Sequence, residues 1–319
     1  MIYIDEIPYE KSDNEYIRGA IKKHLKDWNL TIQTSGSTGT PKTVYHEESL
    51  VKKISEFNAE WFGLKTNSRL FSLYNPRGIA FTTMSLYPAV LSGCDLFIET
   101  NTSKYVDKIN KLRPTHTCVL PNLYRVLSKH RKWKDIDFSS CEHLIMGGDY
   151  SPQGAIKDLK SKGAKQVYNV YGATEVPPSA FWSTSGDYYS NFCSNRMVDW
   201  RIINDEVHMK YKQQKDWFES GDLAKEYDNG FALIGRKHNM FKLGSCGVRI
   251  YPEQVEKHVV ECGAELALCR EVSNRCVIYY TGKLKRQVDL SVKHSLVNVK
   301  ELKVDDNLRK IDRSQEIVC

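Results

Sequence analysis

Residues 34–42 read Thr-Ser-Gly-Ser-Thr-Gly-Thr-Pro-Lys and follow directly on the apolar-containing segment Leu30-Thr31-Ile32. Glycines let a backbone approach a ligand closely, and amides and hydroxyls then offer donors to an anion. Lys42 adds a mobile positive charge. A loop of this composition is built to hold phosphate. The Walker pattern G-x-x-x-x-G-K-[ST] fails here: counting from Gly36, the second glycine falls on Pro41, ahead of Lys42 and Thr43. Proline has no amide proton and a fixed φ, so it supplies no donor at that point.

The hydrophobic pattern around the loop alternates between two periods. Ile17, Ile21, Leu25 and Trp28 share one helical face behind a capping box at Ser12 and Glu15, and Leu50, Ile54, Phe57 and Trp61 share another. Apolar runs at 94–98, 116–120, 143–146 and 166–170 read as strands, separated by helices near 103–112, 121–130 and 152–162. This alternation predicts an α/β fold with a mostly parallel, helix-covered sheet that binds ligands at the carboxyl ends of its strands. Gly147-Gly148 and Tyr171-Gly172 follow strands at that edge. Beyond residue 197 the pattern shortens to β-like pieces. After Arg236 it predicts a small α+β unit, with a helix over 252–262, two strands, and a helix near 285–297. The boundary at 235–240 gives a large domain over 1–235 and a small, mobile one over 236–319.

Four further segments, in order, accompany the phosphate loop: Asn169-Val170-Tyr171-Gly172-Ala173-Thr174-Glu175, Ser220-Gly221-Asp222-Leu223, Gly235-Arg236, and Asn307-Leu308-Arg309-Lys310-Ile311-Asp312-Arg313. With residues 34–42 they resemble the adenylate-forming superfamily of acyl-CoA synthetases, luciferases and peptide-synthetase adenylation domains. The resemblance implies that Thr34, Ser35, Gly36, Ser37, Thr38, Gly39, Thr40 and Lys42 cradle the phosphates of ATP. Gly147, Gly148, Asn169, Tyr171 and Gly172 complete the nucleotide site, with Tyr171 on the adenine face. Thr174 touches phosphate, Glu175 holds Mg²⁺, and Asp222 and Arg236 reach the ribose. Lys310 serves adenylation, His238 stands at the hinge, and the segment from Lys242 serves the second half-reaction.

The implied chemistry is ATP-dependent activation of a small-molecule carboxylic acid as an acyl-adenylate, then transfer to a thiol, CoA in the first reading. A stand-alone adenylation enzyme that loads a carrier-protein pantetheine or an amine is the alternative. A nucleotide-binding relative without turnover is a third. Departures from the family pattern fall mainly at the C-terminal end. Arg309 occupies the glycine position before the lysine, His238 replaces the usual aspartate or lysine, and the stretch from Lys242 to Arg249 is longer than usual. Only 33 residues precede the phosphate loop, so an N-terminally reduced version is expected. The acid pocket is expected to start at Tyr74–Phe81 and to include Met146, Gly148, Val176, Pro177 and Pro178. It lacks the aspartate that holds an α-amino group, which favours a simple or aromatic acid. Arg77 is a candidate partner for a second carboxylate.

The 46 basic and 39 acidic side chains leave a mild +7, spread along the chain as a solvated surface and without the aromatic interleaving of a nucleic-acid module. The nine cysteines contain no C-x-x-C pair. Cys262, Cys269 and Cys276 recur every seven residues with His258 one turn before the first, and are read as buried free thiols. No apolar run is long enough for a bilayer, so a cytoplasmic, reducing setting is expected.

Overall fold

The computed structural model describes residues 1–33, 42–148, 151, 154–177, 179–184, 192–227, 230–243, 248–290, 292–303, 311, 313 and 315–317. The described residues divide into two compact units, Met1–Asp199 with Lys210–Phe218, and Trp200–Met209 with Glu219–Cys319. The boundary expected at 235–240 is not where this division in packing falls, and it is carried, as a hinge for motion, into the proposal below.

The first unit opens with β1 (Ile2–Ile4), β2 (Ile7–Pro8), α1 (Glu15–Lys26), β3 (Leu30–Gln33), β4 (Thr43–His46) and α2 (Glu48–Trp61). Next come β5 (Arg69–Ser72), then α3 (Ile79–Phe81) and α4 (Tyr87–Ser92) joined by a π-helical turn over Thr82–Leu86. Alternation then sets in: β6 (Asp95–Ile98), α5 (Tyr105–Leu112), β7 (His116–Val119), α6 (Pro121–Leu127), β8 (His143–Gly147), α7 (Ala155–Ser161), β9 (Gln166–Tyr171), β10 (Phe181–Ser183) and β11 (Cys193–Ser194). The expected capping box is not what starts α1. Asn14 is the N-cap and accepts from the Ile17 amide at 3.1 Å, while Ser12 Oγ accepts from Asn14 N at 3.2 Å. Asparagine is an equally good cap and stands closer to the helix.

Nine strands form one sheet in the order β11-β10-β9-β8-β7-β5-β6-β1-β2. From β9 across to β1 every pairing is parallel, as the alternation predicts. Successive strand residues supply opposite faces. Leu70, Cys118, Ile145 and Val170 pack with Ile17, Ile21 and Val51 of α1 and α2. Phe71, Val119, Leu144 and Val167 pack with Tyr105, Ile109, Ile156 and Leu159 of α5 and α7. Chain order reverses direction between β5 and β7, which makes their carboxyl ends a topological switch point, the usual place for a ligand crevice.

The second unit carries most of a four-stranded sheet ordered β12 (Val198–Ile203), β13 (Glu206–Tyr211), β14 (Phe218–Tyr227) and β15 (Gly230–Arg236). It continues with the hairpin β16 (Phe241–Leu243)–β17 (Val248–Ile250), then α8 (Pro252–Glu261), β18 (Ala264–Val272), β19 (Arg275–Gly282) and β20 (His294–Asn298). Val255 and Val259 of α8 pack on Ala267, Cys269 and Ile278. The helix expected near 285–297 does not form. Val288, Leu290 and Val292 stand two apart, which is not a helical spacing, and belong to no element; after them β20 pairs parallel to β19 from Cys276↔His294 to Tyr280↔Asn298. The thiols of Cys262, Cys269 and Cys276 are buried, as are Cys118 and Cys141, whose thiols burial pushes up to about 11 and about 12. Cys118 and Cys141 are therefore inert packing groups at neutral pH. Among the described residues no helix is long and apolar enough to cross a membrane.

Candidate active site

Strands β3 and β4 pair antiparallel from Leu30↔His46 to Gln33↔Thr43, so the chain leaves and re-enters this hairpin at one point. Residues 34–41, which hold Thr34, Ser35, Gly36, Ser37, Thr38, Gly39 and Thr40, lie outside the described residues; Lys42 is exposed immediately before β4. At the buried end of β4, His46 Nε2 lies 2.7 Å from the carbonyl oxygen of Thr174. A carbonyl only accepts, so Nε2 carries a proton. Burial lowers its pKa, against the bond to Thr174 and the nearby charge of Glu175. The strand that follows the phosphate loop is thereby tied to the Thr174-Glu175 pair.

The rest of that segment is positioned by the ends of β8 and β9. These strands run parallel to the register Gly147↔Val170. A Cβ on Gly147 would stand 2.4 Å from Val170 Cγ2 and 2.7 Å from the Val170 carbonyl oxygen, so only glycine fits. Gly148 follows with φ +93°, also a glycine conformation. Buried Asn169 accepts from Ser151 Oγ at 2.9 Å. The Tyr171 ring rests against Phe181 and Phe192, with centroids 5.6 and 5.7 Å away. Beyond Gly172, Ala173 N donates to the Val176 carbonyl at 2.9 Å, closing a tight turn around Thr174 and Glu175. Gln214 Nε2 donates to the Glu175 carbonyl at 3.3 Å and the Tyr211 hydroxyl to the Pro177 carbonyl at 3.4 Å. The backbone of the turn is held from outside while both polar side chains stay half-buried.

Gly147, Gly148, Asn169, Tyr171, Gly172, Thr174 and Glu175 thus belong to one edge of the first unit. His46, Ser151 and Gln214 escaped the sequence reading. For His46 a signal existed: it is the polar residue at the inward parity of a short strand.

In the second unit Asp222 of β14 and Arg236 of β15 are paired residues of neighbouring strands. Arg236 Nε stands 2.6 Å from Asp222 Oδ1, and Arg236 Nη1 donates to the Ser220 carbonyl at 3.3 Å. Asp222 N donates to Ser220 Oγ at 3.0 Å, and Gly221 N to Glu206 Oε1 at 2.9 Å. Glu206 also pairs with Lys237 at 2.7 Å. Burial works to raise the Glu206 pKa, and Lys237 and the Gly221 amide outweigh it. The two motifs assigned to the ribose therefore form one hydrogen-bonded group. His238 is exposed, and Lys242 in β16 is exposed opposite Arg249 of β17. Lys310 lies outside the described residues, as do Arg309 and residues 244–247.

Arg77 stacks its guanidinium 4.1 Å from the centre of the Tyr16 ring. Met146 packs in the core on the α5–α7 face, while its neighbour Ile145 lines a small cavity with Tyr74, Met84, Ser85, Cys118 and His143. Alternation along β8 sends the two side chains to opposite faces.

The family model for the AMP-binding enzyme matches residues 6–212. The chain belongs to the AMP-binding enzyme family. Its relatives in this adenylate-forming superfamily include the mitochondrial acyl-coenzyme A synthetase ACSM1 of Mus musculus, 27% identical over 281 residues, covering 76% of this chain and 48% of that one. Another is the indoleacetate–CoA ligase of Aromatoleum aromaticum, 23% identical over 285 residues, covering 77% of this chain and 55% of that one. The fold is that of the anthranilate CoA ligase AuaEII in complex with anthranoyl-AMP, with TM-score 0.73 and 15% identity over 88% of this chain and 64% of that one. This AMP-binding chain spans about half the length of the curated relatives it matches.

Proposed function

We propose that this chain catalyses AMP-forming activation of a carboxylic acid and passes the acyl group to a thiol. The observation that carries the reading is the His46–Thr174 bond, 2.7 Å long, which ties the strand after the phosphate loop to the pair Thr174-Glu175. Both segments have the composition for polyphosphate, and the bond joins the strand after the first to the turn that carries the second. Family membership and relatives named as CoA ligases support the same chemistry.

In the first step a carboxylate oxygen attacks the α-phosphorus of ATP, a phosphorus–oxygen bond breaks, and pyrophosphate leaves with its electron pair. Negative charge grows on the phosphoryl oxygens, so prepositioned donors and cations do most of the work. Lys42, Thr174, Lys310 and the residues of the 34–40 loop supply them. The Thr174 hydroxyl and Glu175 carboxylate are hard oxygen donors. Among the described residues no cluster of three or more His, Cys, Asp or Glu forms a closed metal cage. One carboxylate sharing a cation with substrate phosphates is the arrangement these residues fit for Mg²⁺, which when bound neutralises phosphate charge. Tyr171 offers a face to adenine, and Asp222 and Arg236 hold the ribose hydroxyls. In the second step the domain after residue 235 rotates about His238. A thiolate then attacks the acyl carbon and AMP leaves. The segment that begins at Lys242 serves this step.

CoA is the acceptor in this reading; a carrier-protein pantetheine or an amine would use the same cleft. Carboxylate-dependent exchange of labelled pyrophosphate into ATP tests the first step, run on a panel that includes indoleacetate and anthranilate. Exchange with at least one acid is expected. ATP binding without exchange across a broad panel would replace the enzyme with a non-catalytic nucleotide-binding relative. Offering CoA, a carrier protein and amines in parallel, and following AMP, then fixes the acceptor.

A further inference from the structure

Glu253 lies in the first turn of α8 and is almost wholly buried, its side chain 1% exposed. A carboxylate at that depth is maintained only by partners. Three of them are at hand, all within the second unit. The Arg313 guanidinium approaches Oε1 at 3.4 Å. The Arg236 amide donates to Oε2 at the long distance of 3.5 Å, and the Asn239 side-chain amide donates to Oε1. The space beneath is shaped for this carboxylate: a Cβ on Gly235, whose φ is +156°, would lie 3.0 Å from Oε2.

Arg236 and Asn239 stand on opposite sides of His238. The amides of Asn239 and Met240 both donate to the Arg236 carbonyl at 3.1 Å, so residues 236–240 form a single tight turn. One carboxylate therefore grips both limbs of the turn on which the proposed rotation depends. A large change of φ or ψ at His238 moves Asn239 relative to Arg236, and the two donors then no longer converge on Glu253. The same carboxylate also grips Arg313, in the segment that leads out of Lys310. Arg313 is further fixed by Glu256, at 2.9 and 2.7 Å, and Arg270 donates to the carbonyls of Arg313 and Gln315. Gln315 in turn bonds both the amide and the carbonyl of Lys303, at 2.8 and 3.2 Å.

Resting on the two-step reading above, we infer that Glu253 is a positioning residue that couples the hinge turn to the lysine-bearing terminal segment and stabilises the adenylate-forming arrangement. Because one group fixes both the turn and the anchor beside Lys310, the arrangement it favours is the one in which that lysine is used. Losing the cross-hinge bond shifts the population away from it.

The test uses the full chain with Glu253→Gln, Asn239→Ala and the double variant. Hydrogen exchange at the amides of residues 236–240 is measured first, since it needs no substrate. At least tenfold faster exchange there in both single variants is expected, with protection in α8 and β18 retained; unchanged exchange overturns the coupling. The two half-reactions follow separately, as pyrophosphate exchange and as thioester formation from supplied acyl-adenylate. Asn239→Ala should slow the first at least fivefold and leave the second within twofold. Equal loss of both steps, or a larger loss in the second, overturns the assignment to adenylation. An inactive wild type would defeat the two-step reading itself while the exchange measurement still decides whether Glu253 holds the turn.

Discussion

His46 Nε2 lies 2.7 Å from the carbonyl oxygen of Thr174, although 128 residues separate them in sequence. A strand that begins beside Lys42 and a turn that carries Glu175 are held in register by this one donor. Replacing His46 with Leu leaves the Thr174 carbonyl unpaired, which costs about 1–3 kcal/mol when the group is buried. It also frees the turn to shift, and misplacement by about 1 Å can cost a hundredfold in rate. Pyrophosphate exchange in His46→Leu should therefore fall about 10- to 100-fold, mainly in kcat. His46→Gln keeps an N–H donor and should recover most of the loss. Equal loss in both variants would show that the ring, and not its bond, matters.

At Gly147 the strands β8 and β9 leave no room for a side chain. The Val170 carbonyl oxygen cannot yield to a Cβ placed 2.7 Å away without breaking the strand register. Gly147→Ala should destabilise the chain by about 2–3 kcal/mol. For a unit of this size that lowers the melting midpoint by about 5–10 °C. Adding Val170→Ala removes the contact with Cγ2 but not that with the carbonyl, so it should restore only part of the loss. Thermal unfolding of the three chains checks this.

Stability should decline in mild acid. Burial holds the His116 imidazole down to about 4 from its ordinary 6.5, while its Nε2 donates to the Phe62 carbonyl at 2.7 Å. The unfolded chain binds this proton first, so the contribution is complete above the unfolded value and is lost as pH falls from 6.5 towards 4. One imidazole shifted this far accounts for about 3 kcal/mol. Burial lowers His24, His46 and His143 in the same direction. Denaturant midpoints at pH 7 and pH 4.5 should therefore differ, and His116→Gln should narrow the difference. An unchanged difference would place the acid sensitivity on the other imidazoles.

The parallel sheet was legible because each strand of β6–β9 is a short apolar run flanked by a helix of different period. The candidate residues Tyr171, Glu175, Asp222 and Arg236 could be singled out because each sits in a segment whose order along the chain matches a family. His46 and Gln214 were not, since neither belongs to such a segment and each acts through a backbone carbonyl that any residue could present. The same holds for Glu253, whose partners are an amide, a side chain and a guanidinium drawn from three separate stretches of chain. Strand β20 was misread because it is only His294–Asn298, preceded by apolar positions that lie in no element, and only pairing with β19 distinguishes strand from helix there. Long-range polar contacts leave no periodic trace in a sequence.

The two lysines offer the sharpest separation of the proposed steps. Lys310 belongs to the segment implied to serve adenylation, and Lys242 opens the segment implied to serve the thiol. Lys310→Ala should reduce pyrophosphate exchange at least a hundredfold, since it removes a cation from a transition state that gains charge on the phosphoryl oxygens. Thioester formation from supplied acyl-adenylate should stay within about threefold of wild type, because that step releases AMP after the charge has moved. Lys242 is exposed in a two-stranded hairpin and pairs across to Arg249, so its loss should leave the fold intact. Lys242→Ala should slow the thiol step about tenfold and touch the exchange reaction little. Arg309 enters here as well: in place of glycine it restricts the backbone next to Lys310, so Arg309→Gly should raise the exchange rate if presentation of the lysine limits it. Parallel loss of both steps in both alanine variants would mean that one fixed arrangement performs both reactions, and that the chain does not rotate about His238 between them.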